Sequence, residues 1–532
     1  MLNKKTIGLV ICVLLLCTML AGCGGQQANQ QADEQLTDKG EETVTSVEVP
    51  QEIVAGLWRD VGGMAGGAHH HPSFTRVFET LVTIGFELEI IPQLATSWEV
   101  SDDGLTWTFY LREGVKFHDG TPFNAEAAKF ALEMHNKRRP GHLGPIASIE
   151  AVDEHILRIT LTEPFAPLLY ELSRPLFSMA SPAAFNEKGL IVKAIGTGPF
   201  KEEEWVPGEK LVLVRNEEYW GDKPKLERVT LKNIPDGATR VMALEAGEID
   251  MIIGPGGVPP EHVKALEDNP AIKILTQPVA RVHYLVLNNQ KPPFDDVRVR
   301  QAIQYAIDQK SIVDHALGGF GVPLGSCIAP VVAEWFNPEI PLKYDVEKAK
   351  QLLNEAGWVD TDGDGVRDKN DEDLKVLLLI GRCWPAPTLA EVIMDQLQEI
   401  GISVEIRVLE RGALKKAIRA GEHDMTISIH GLTLVDPHIL YRSFHSKGDL
   451  NLRMGAFFKN PRVDELTELG MRTMDAEKRR QYYFEVQKIV ADEVPVVPIF
   501  AEVLINAVRD NIRGYKPHPL FFVNWEDIYV CR

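Results

Sequence analysis

The sequence predicts an α/β fold spread over more than one domain, on three observations. Stretches with strand-like alternation, Leu105-Trp107-Phe109-Leu111 and Leu157-Ile159-Leu161, are interleaved with segments whose apolar residues recur every three or four positions. The chain has 532 residues, 45% hydrophobic and 25% charged, a globular composition too long for one core. Past the N-terminus no apolar run is long enough to cross a membrane. The formal charge of -20 argues against nucleic acid as a partner, because phosphate binding needs clustered Lys and Arg.

The N-terminus reads as an address. Lys4 and Lys5 precede an apolar stretch from Ile7 to Leu20, and Leu20-Ala21-Gly22-Cys23 has the form of a lipoprotein cleavage site. Residues 1–22 are therefore expected to leave as a signal peptide, with lipid carried on Cys23. Residues 23–46 are polar and aperiodic, as a flexible tether should be. Cys327, Cys383 and Cys531 remain, an odd set without C-x-x-C spacing, so neither a disulfide framework nor a zinc knuckle is expected.

In the body, Phe74 to Val82 reads as helix-like. Asn124 can cap a helix in which Ala127, Phe130, Ala131 and Met134 share a face. Lys210 to Val214 reads as a strand, and so does Tyr284 to Asn289. Asp295 or Asp296 opens a helix with Val299, Ala302, Ile303 and Ala306 inward. Asp345 caps another, which Gly357 is placed to end. Ala390 to Ile400 is helical, and Val404, Ile406 and Val408 alternate as a strand.

Three stretches carry a resemblance: Pro92 to Phe123, with its Asp103-Gly-Leu-Thr-Trp107 and Phe117-His-Asp-Gly120; Gly196-Thr-Gly-Pro-Phe200 followed by Arg215-Asn-Glu-Glu-Tyr219-Trp220; and Phe294-Asp-Asp-Val-Arg-Val-Arg-Gln-Ala-Ile303. Together they resemble the extracytoplasmic solute-binding family that serves ABC importers of peptides and nickel, and the likeness spans roughly residues 50–530. The resemblance implies a two-lobed periplasmic-binding-protein fold (type II, cluster C) with an extra subdomain in the first lobe. It implies lobe I over 47–285, lobe II over 286–495 and a return to lobe I over 496–532. It also implies a monomeric, non-enzymatic receptor that closes on a small ligand and delivers it to a membrane permease. No H-E-x-x-H, G-x-S-x-G or P-loop is present, in keeping with a role other than catalysis.

Two histidine-rich regions are candidates for holding the ligand. His69, His70 and His71 follow a glycine-rich stretch; in an extended backbone His69 and His71 point to one side and His70 to the other. Imidazole suits nickel, zinc and copper, so the residues alone do not choose among them. The second region holds His430, Asp436-Pro437-His438, Tyr441, Arg442 and His445, and the last four have the spacing of one helix face. The resemblance places this region on lobe II, opposite the first cluster. It also puts Arg174 where nickel binders anchor a chelator's carboxylate, a task suited to the planar guanidinium fork. The cargo expected is nickel or a related divalent metal, free, histidine-bound or as a small chelate; a di- or oligopeptide is the alternative. The aromatic residues that a nickel binder of enteric bacteria places before its Asp-Pro-His are replaced here by Gly431 to Val435. No resident cofactor is required, but Asp360, Asp362, Asp364, Asp368 and Asp371 have calcium-loop spacing, with Gly365 at the turn position.

Overall fold

The computed structural model describes residues 49–64, 68–69, 72–382, 385–430 and 435–531. The signal peptide, Cys23, the tether, His70 and His71 lie outside the described residues. In chain order the elements that matter for the site begin with β1 (Glu52–Leu57), β2 (Ala95–Val100), β3 (Thr106–Leu111), α1 (Ala125–Arg138), β4 (Ile146–Asp153), β5 (Ile156–Leu161) and α2 (Leu168–Leu172). Next come β6 (Phe200–Val206), β7 (Lys210–Arg215), β8 (Arg228–Asn233), β9 (Met251–Ile252), β10 (Ile272–Leu287), α3 (Val297–Ala306) and α4 (Val346–Glu355). The last are β11 (Lys375–Gly381), α5 (Ala386–Glu399), β12 (Ser403–Leu409), α6 (Arg411–Arg419), β13 (Met425–His430), α7 (Ile439–Phe444), α8 (Asp449–Met454), α9 (Pro461–Arg472), α10 (Ala476–Glu493) and β14 (Val496–Arg509).

The protein is a mixed α/β, two-lobed structure in which one sheet runs through both lobes, in the order β6-β7-β8-β1-β9-β14-β10-β13-β11-β12. Strands β1, β8 and β9 are parallel at the first-lobe end, and β11, β12 and β13 are parallel at the other. Between them β10 and β14 pair antiparallel, from Ile272 opposite Arg509 to Val286 opposite Val496. The ladder shifts register between Pro278 and Val282 and again between His283 and Tyr284. At this break the buried Glu502 carboxylate is held by His283 Nε2 at 2.9 Å and by Arg281 at 3.0 Å, and His283 stacks on Phe500 at 4.2 Å. Burial opposes the charge on Glu502, but Arg281 and His283 outweigh it and hold its pKa below the ordinary carboxylate value.

A separate four-stranded antiparallel sheet, β2-β3-β5-β4, forms the subdomain of the first lobe. Alternation along β3 sends Trp107, Phe109 and Leu111 inward against α1, where Ala128, Ala131 and Leu132 complete the core. In the second lobe α3, α4 and α5 cover one sheet face with Ile303, Leu353 and Ile393. The other face is closed by Leu440, Tyr483 and Val490 of α7 and α10. Helix starts follow the sequence: Asn124 caps through Ala127 N at 3.0 Å, Asp296 through Arg298 N at 2.9 Å and Asp345 through Lys348 N at 2.9 Å.

The segment Phe74 to Val82 differs from expectation. Helix is confined to Pro72–Thr75, Arg76 adopts φ of 51°, and Val82–Ile84 is a strand. The guanidinium of Arg76 pairs with Glu526, so a partner from the far end of the chain overrides the local apolar period. This kink also explains the glycines of the Gly196-Thr-Gly-Pro-Phe200 motif. A Cβ on Gly198 would lie 2.1 Å from the carbonyl oxygen of Arg76, and one on Gly196 would lie 2.1 Å from that of Val77.

Candidate ligand-binding site

The two sequence motifs of the first lobe meet on one buried carboxylate. Glu79 accepts hydrogen bonds from Thr197 Oγ1 at 2.8 Å, Tyr219 Oη at 2.8 Å and Trp220 Nε1 at 2.9 Å. Burial raises the Glu79 pKa, against the opposing pull of Arg76 and the three donors. Beside it a small cavity of about 30 Å³ is lined by Ser73, Arg76, Glu79, Ser173, Pro175 and Phe522, among others. Ser173 and Pro175 are the chain neighbours of Arg174.

Arg174 itself pairs with Glu171 of α2, Nη1 to Oε2 at 2.5 Å; Glu171 is buried and Arg174 partly so. The other Glu171 oxygen lies 3.5 Å from Nδ1 of His438, at the start of α7. Burial would raise the Glu171 pKa, but Arg174 and His438 overcome it and bring it down to about 2. The expected helix face is present in part. His438 stacks on Tyr441 at 5.7 Å and Tyr441 packs on His445 at 4.3 Å, along α7 and its two ends. Arg442 turns aside and grips Asp449 with two bonds, 2.8 and 2.9 Å.

His445 is held at both ring nitrogens. Nδ1 accepts from Lys447 N at 2.9 Å and Nε2 lies 3.3 Å from Glu468, which leaves neither free for a metal in this conformation. His430 ends β13 opposite Val282. His69 pairs with Gly63 in a short hairpin. Asp436 of the Asp-Pro-His triplet is fully buried and binds Arg479 of α10 through both oxygens at 2.9 Å, which fixes the start of α7.

Two residues overlooked in the sequence reading stand in the same place. Arg139, just past α1, makes no hydrogen bond or ion pair through its guanidinium among the described residues. Burial and the charges of Arg138, Arg174, Arg442 and Arg453 lower its pKa to about 10. His142, on the same loop, is pushed down to about 4 by burial and then by Arg442, so its imidazole is neutral at pH 7, the form that ligates metals. The run Arg138-Arg139-Pro140-Gly141-His142 was the available signal, a basic helix end followed by a turn and an imidazole.

The acidic loop lies apart from these groups. Carboxylate oxygens of Asp360, Asp362 and Asp368 come within 4.8 Å of one another. Asp364 instead accepts from Val366 N at 2.7 Å, and Asp371 sits at φ of 64° in the turn between the paired segments Asp368–Lys369 and Glu372–Asp373. Asp360 bonds the N–H groups of Gly363 and Gly365 at 2.7 and 3.1 Å, so the loop already organises itself.

Among the described residues no helix is long and apolar enough to cross a membrane. The model of the bacterial extracellular solute-binding proteins, family 5, matches residues 89–451. A nickel-binding periplasmic protein of Escherichia coli (strain K12) is 35% identical over 437 residues, covering 80% of this chain and 83% of that protein. Brucella suis NikA, solved with Fe(III)-EDTA, superimposes with a TM-score of 0.82 at 28% identity, covering 90% of this chain and 99% of the other. Helicobacter pylori DppA, solved with the peptide STSA, gives 0.76 at 29% identity, covering 90% and 98%. The chain belongs to the family 5 extracellular solute-binding proteins, non-enzymatic receptors that bind a small ligand and work with the membrane permease of an ABC importer.

Proposed function

We propose that the cargo is nickel, or a related divalent metal, taken up as a small anionic chelate or a histidine complex. The observation that carries this reading is Arg139, a partly buried guanidinium without an acidic partner, set among Arg174 and Arg442 and close to the neutral imidazole of His142. Guanidinium groups would pair with the chelator's carboxylates, while neutral imidazoles are metal ligands. His438 and the His69–His71 segment are the further imidazoles assigned to the cargo, with Tyr441 packed against His438. The 35% identity to a nickel-binding periplasmic protein supports the same choice.

In this reading lobe I comprises residues 47–285 and 496–532, and lobe II residues 286–495. A ligand that touches both lobes only when they close shifts the population toward the closed form. Lipid on Cys23 tethers the monomer to the outer face of the membrane, within reach of its permease. The acidic loop of Asp360, Asp362 and Asp368 is offered as a secondary, structural place for calcium. Isothermal titration of the protein with nickel(II), with nickel(II) plus L-histidine, and with a peptide mixture tests the cargo. Heat from nickel–histidine that vanishes when nickel is omitted is the expected result. Binding of peptides alone would overturn the metal reading and favour a peptide receptor.

A further inference from the structure

We propose that the second lobe carries an additional oxyanion pocket, between α6, β13 and α8, that receives an outlying carboxylate or phosphate of an extended ligand. The pocket has a volume of about 140 Å³ and is lined by Lys415, Arg419, Ser428 and Arg453, with Ile429, Leu450 and Met454 as apolar walls. It is separate from the groups around Arg174, none of which lines it.

The arrangement of charge is what singles it out. The chain carries 76 acidic against 56 basic residues, so a surface cation ordinarily finds a carboxylate nearby. Elsewhere they do: Arg382 pairs with Glu410 at 2.8 Å, and Arg462 with Glu465 and Glu485, each at 2.8 Å. Lys415 and Arg419 make no ion pair among the described residues. The acidic neighbour of Arg453 is Asp449 at 3.5 Å, and that carboxylate is already gripped by Arg442. Arg411, Lys415 and Arg419 follow one another at four-residue intervals on α6, so they share a face, where like charges destabilise a helix. A helix that keeps such a stripe against a pocket is poised for an anion that neutralises it.

Two further facts orient the pocket toward the ligand. Arg453 is close enough to Arg139 of the first lobe to act on its charge, and Arg411 does the same to Arg59. Lys415 is held below the ordinary lysine value by Arg411 first, then by burial, Arg453 and Arg419. Positive potential therefore runs on from the Arg139–Arg174–Arg442 group into the pocket. The guanidinium of Arg419 offers a planar fork and Lys415 a point charge, while Ser428 can donate to an oxyanion. Ile429 and Met454 suit the carbon stem of a branched acid rather than a bare ion.

The pocket gains its purpose from the chelate reading above, but its occupancy is measurable without metal. The full chain is titrated with metal-free citrate and, separately, with inorganic phosphate, for the wild type, Lys415→Ala/Arg419→Ala and the charge-retaining Lys415→Arg/Arg419→Lys. In parallel, acylation of Lys415 is followed by mass spectrometry with and without each anion. The alanine pair is expected to weaken anion binding about tenfold, the scale of a lost charge-assisted hydrogen bond, while the charge-retaining pair restores it. The anion that better protects Lys415 in the wild type identifies carboxylate or phosphate as the preferred group. If neither anion protects Lys415, or the alanine pair binds both as tightly as the wild type, the pocket is refuted. Failure of nickel–histidine to bind the wild type would sink the cargo reading alone and leave these results standing.

Discussion

Glu171 and His438 face each other across 3.5 Å, with Arg174 on the other oxygen of the same carboxylate. Residues far apart in sequence thus share one ionic group centred on the buried Glu171 carboxylate.

Substituting Glu171→Gln would leave the partly buried Arg174 without its partner and should cost about 3 kcal/mol of stability. The sign with pH is fixed by the depressed pKa. The Glu171 contribution is complete above its ordinary value of 4.5 and fades as pH falls toward about 2. Urea midpoints of the wild type and variant should therefore differ fully at neutral pH, draw together below pH 4.5 and converge only as pH approaches about 2.

Arg139→Ala should weaken binding of an anionic nickel chelate about tenfold while leaving the melting temperature unchanged or slightly higher. The second half of that expectation follows from the four arginines around it, since deleting one of several crowded like charges removes repulsion. Calorimetric titration paired with a thermal melt reads both. A fall in melting temperature with unaltered affinity would assign Arg139 a purely structural role.

Asp436→Asn should destabilise the fold by about 3–5 kcal/mol, because Arg479 keeps its charge while its directly paired, buried carboxylate is lost. Denaturant unfolding measures the loss, and Asp436→Asn combined with Arg479→Met should recover much of it.

Gly198→Ala sets a methyl group 2.1 Å from a backbone oxygen that cannot rotate away. The motif must shift, with an expected loss of about 2 kcal/mol or more and a weakened hold of Thr197 on Glu79. A lowered melting temperature with a blue- or red-shifted Trp220 emission would report it.

Much of the architecture is legible along the chain because it is encoded locally. Asn124, Asp296 and Asp345 cap where their side chains can reach the third N–H or its neighbour, and the alternation of β3 and β5 follows from half-burial. The row His438–Tyr441–His445 is likewise a matter of helical spacing. Phe74 to Val82 was misread because its geometry is imposed by Glu526 through Arg76. Arg139 and Glu171 escaped notice for a related reason. A cation without a partner is visible only after every carboxylate has been placed, and the Glu171–His438 contact joins residues 267 apart only through tertiary packing.

The two long strands joining the lobes are bonded to each other for most of their length, so they form a ribbon rather than two independent ropes. Sliding one past the other would break rung after rung, whereas twisting strains only the rungs at the register breaks around Pro278 to Tyr284. If the lobes close on a ligand as proposed, this ribbon favours rotation near Glu502 over sliding, and the grip on the cargo would follow one angle.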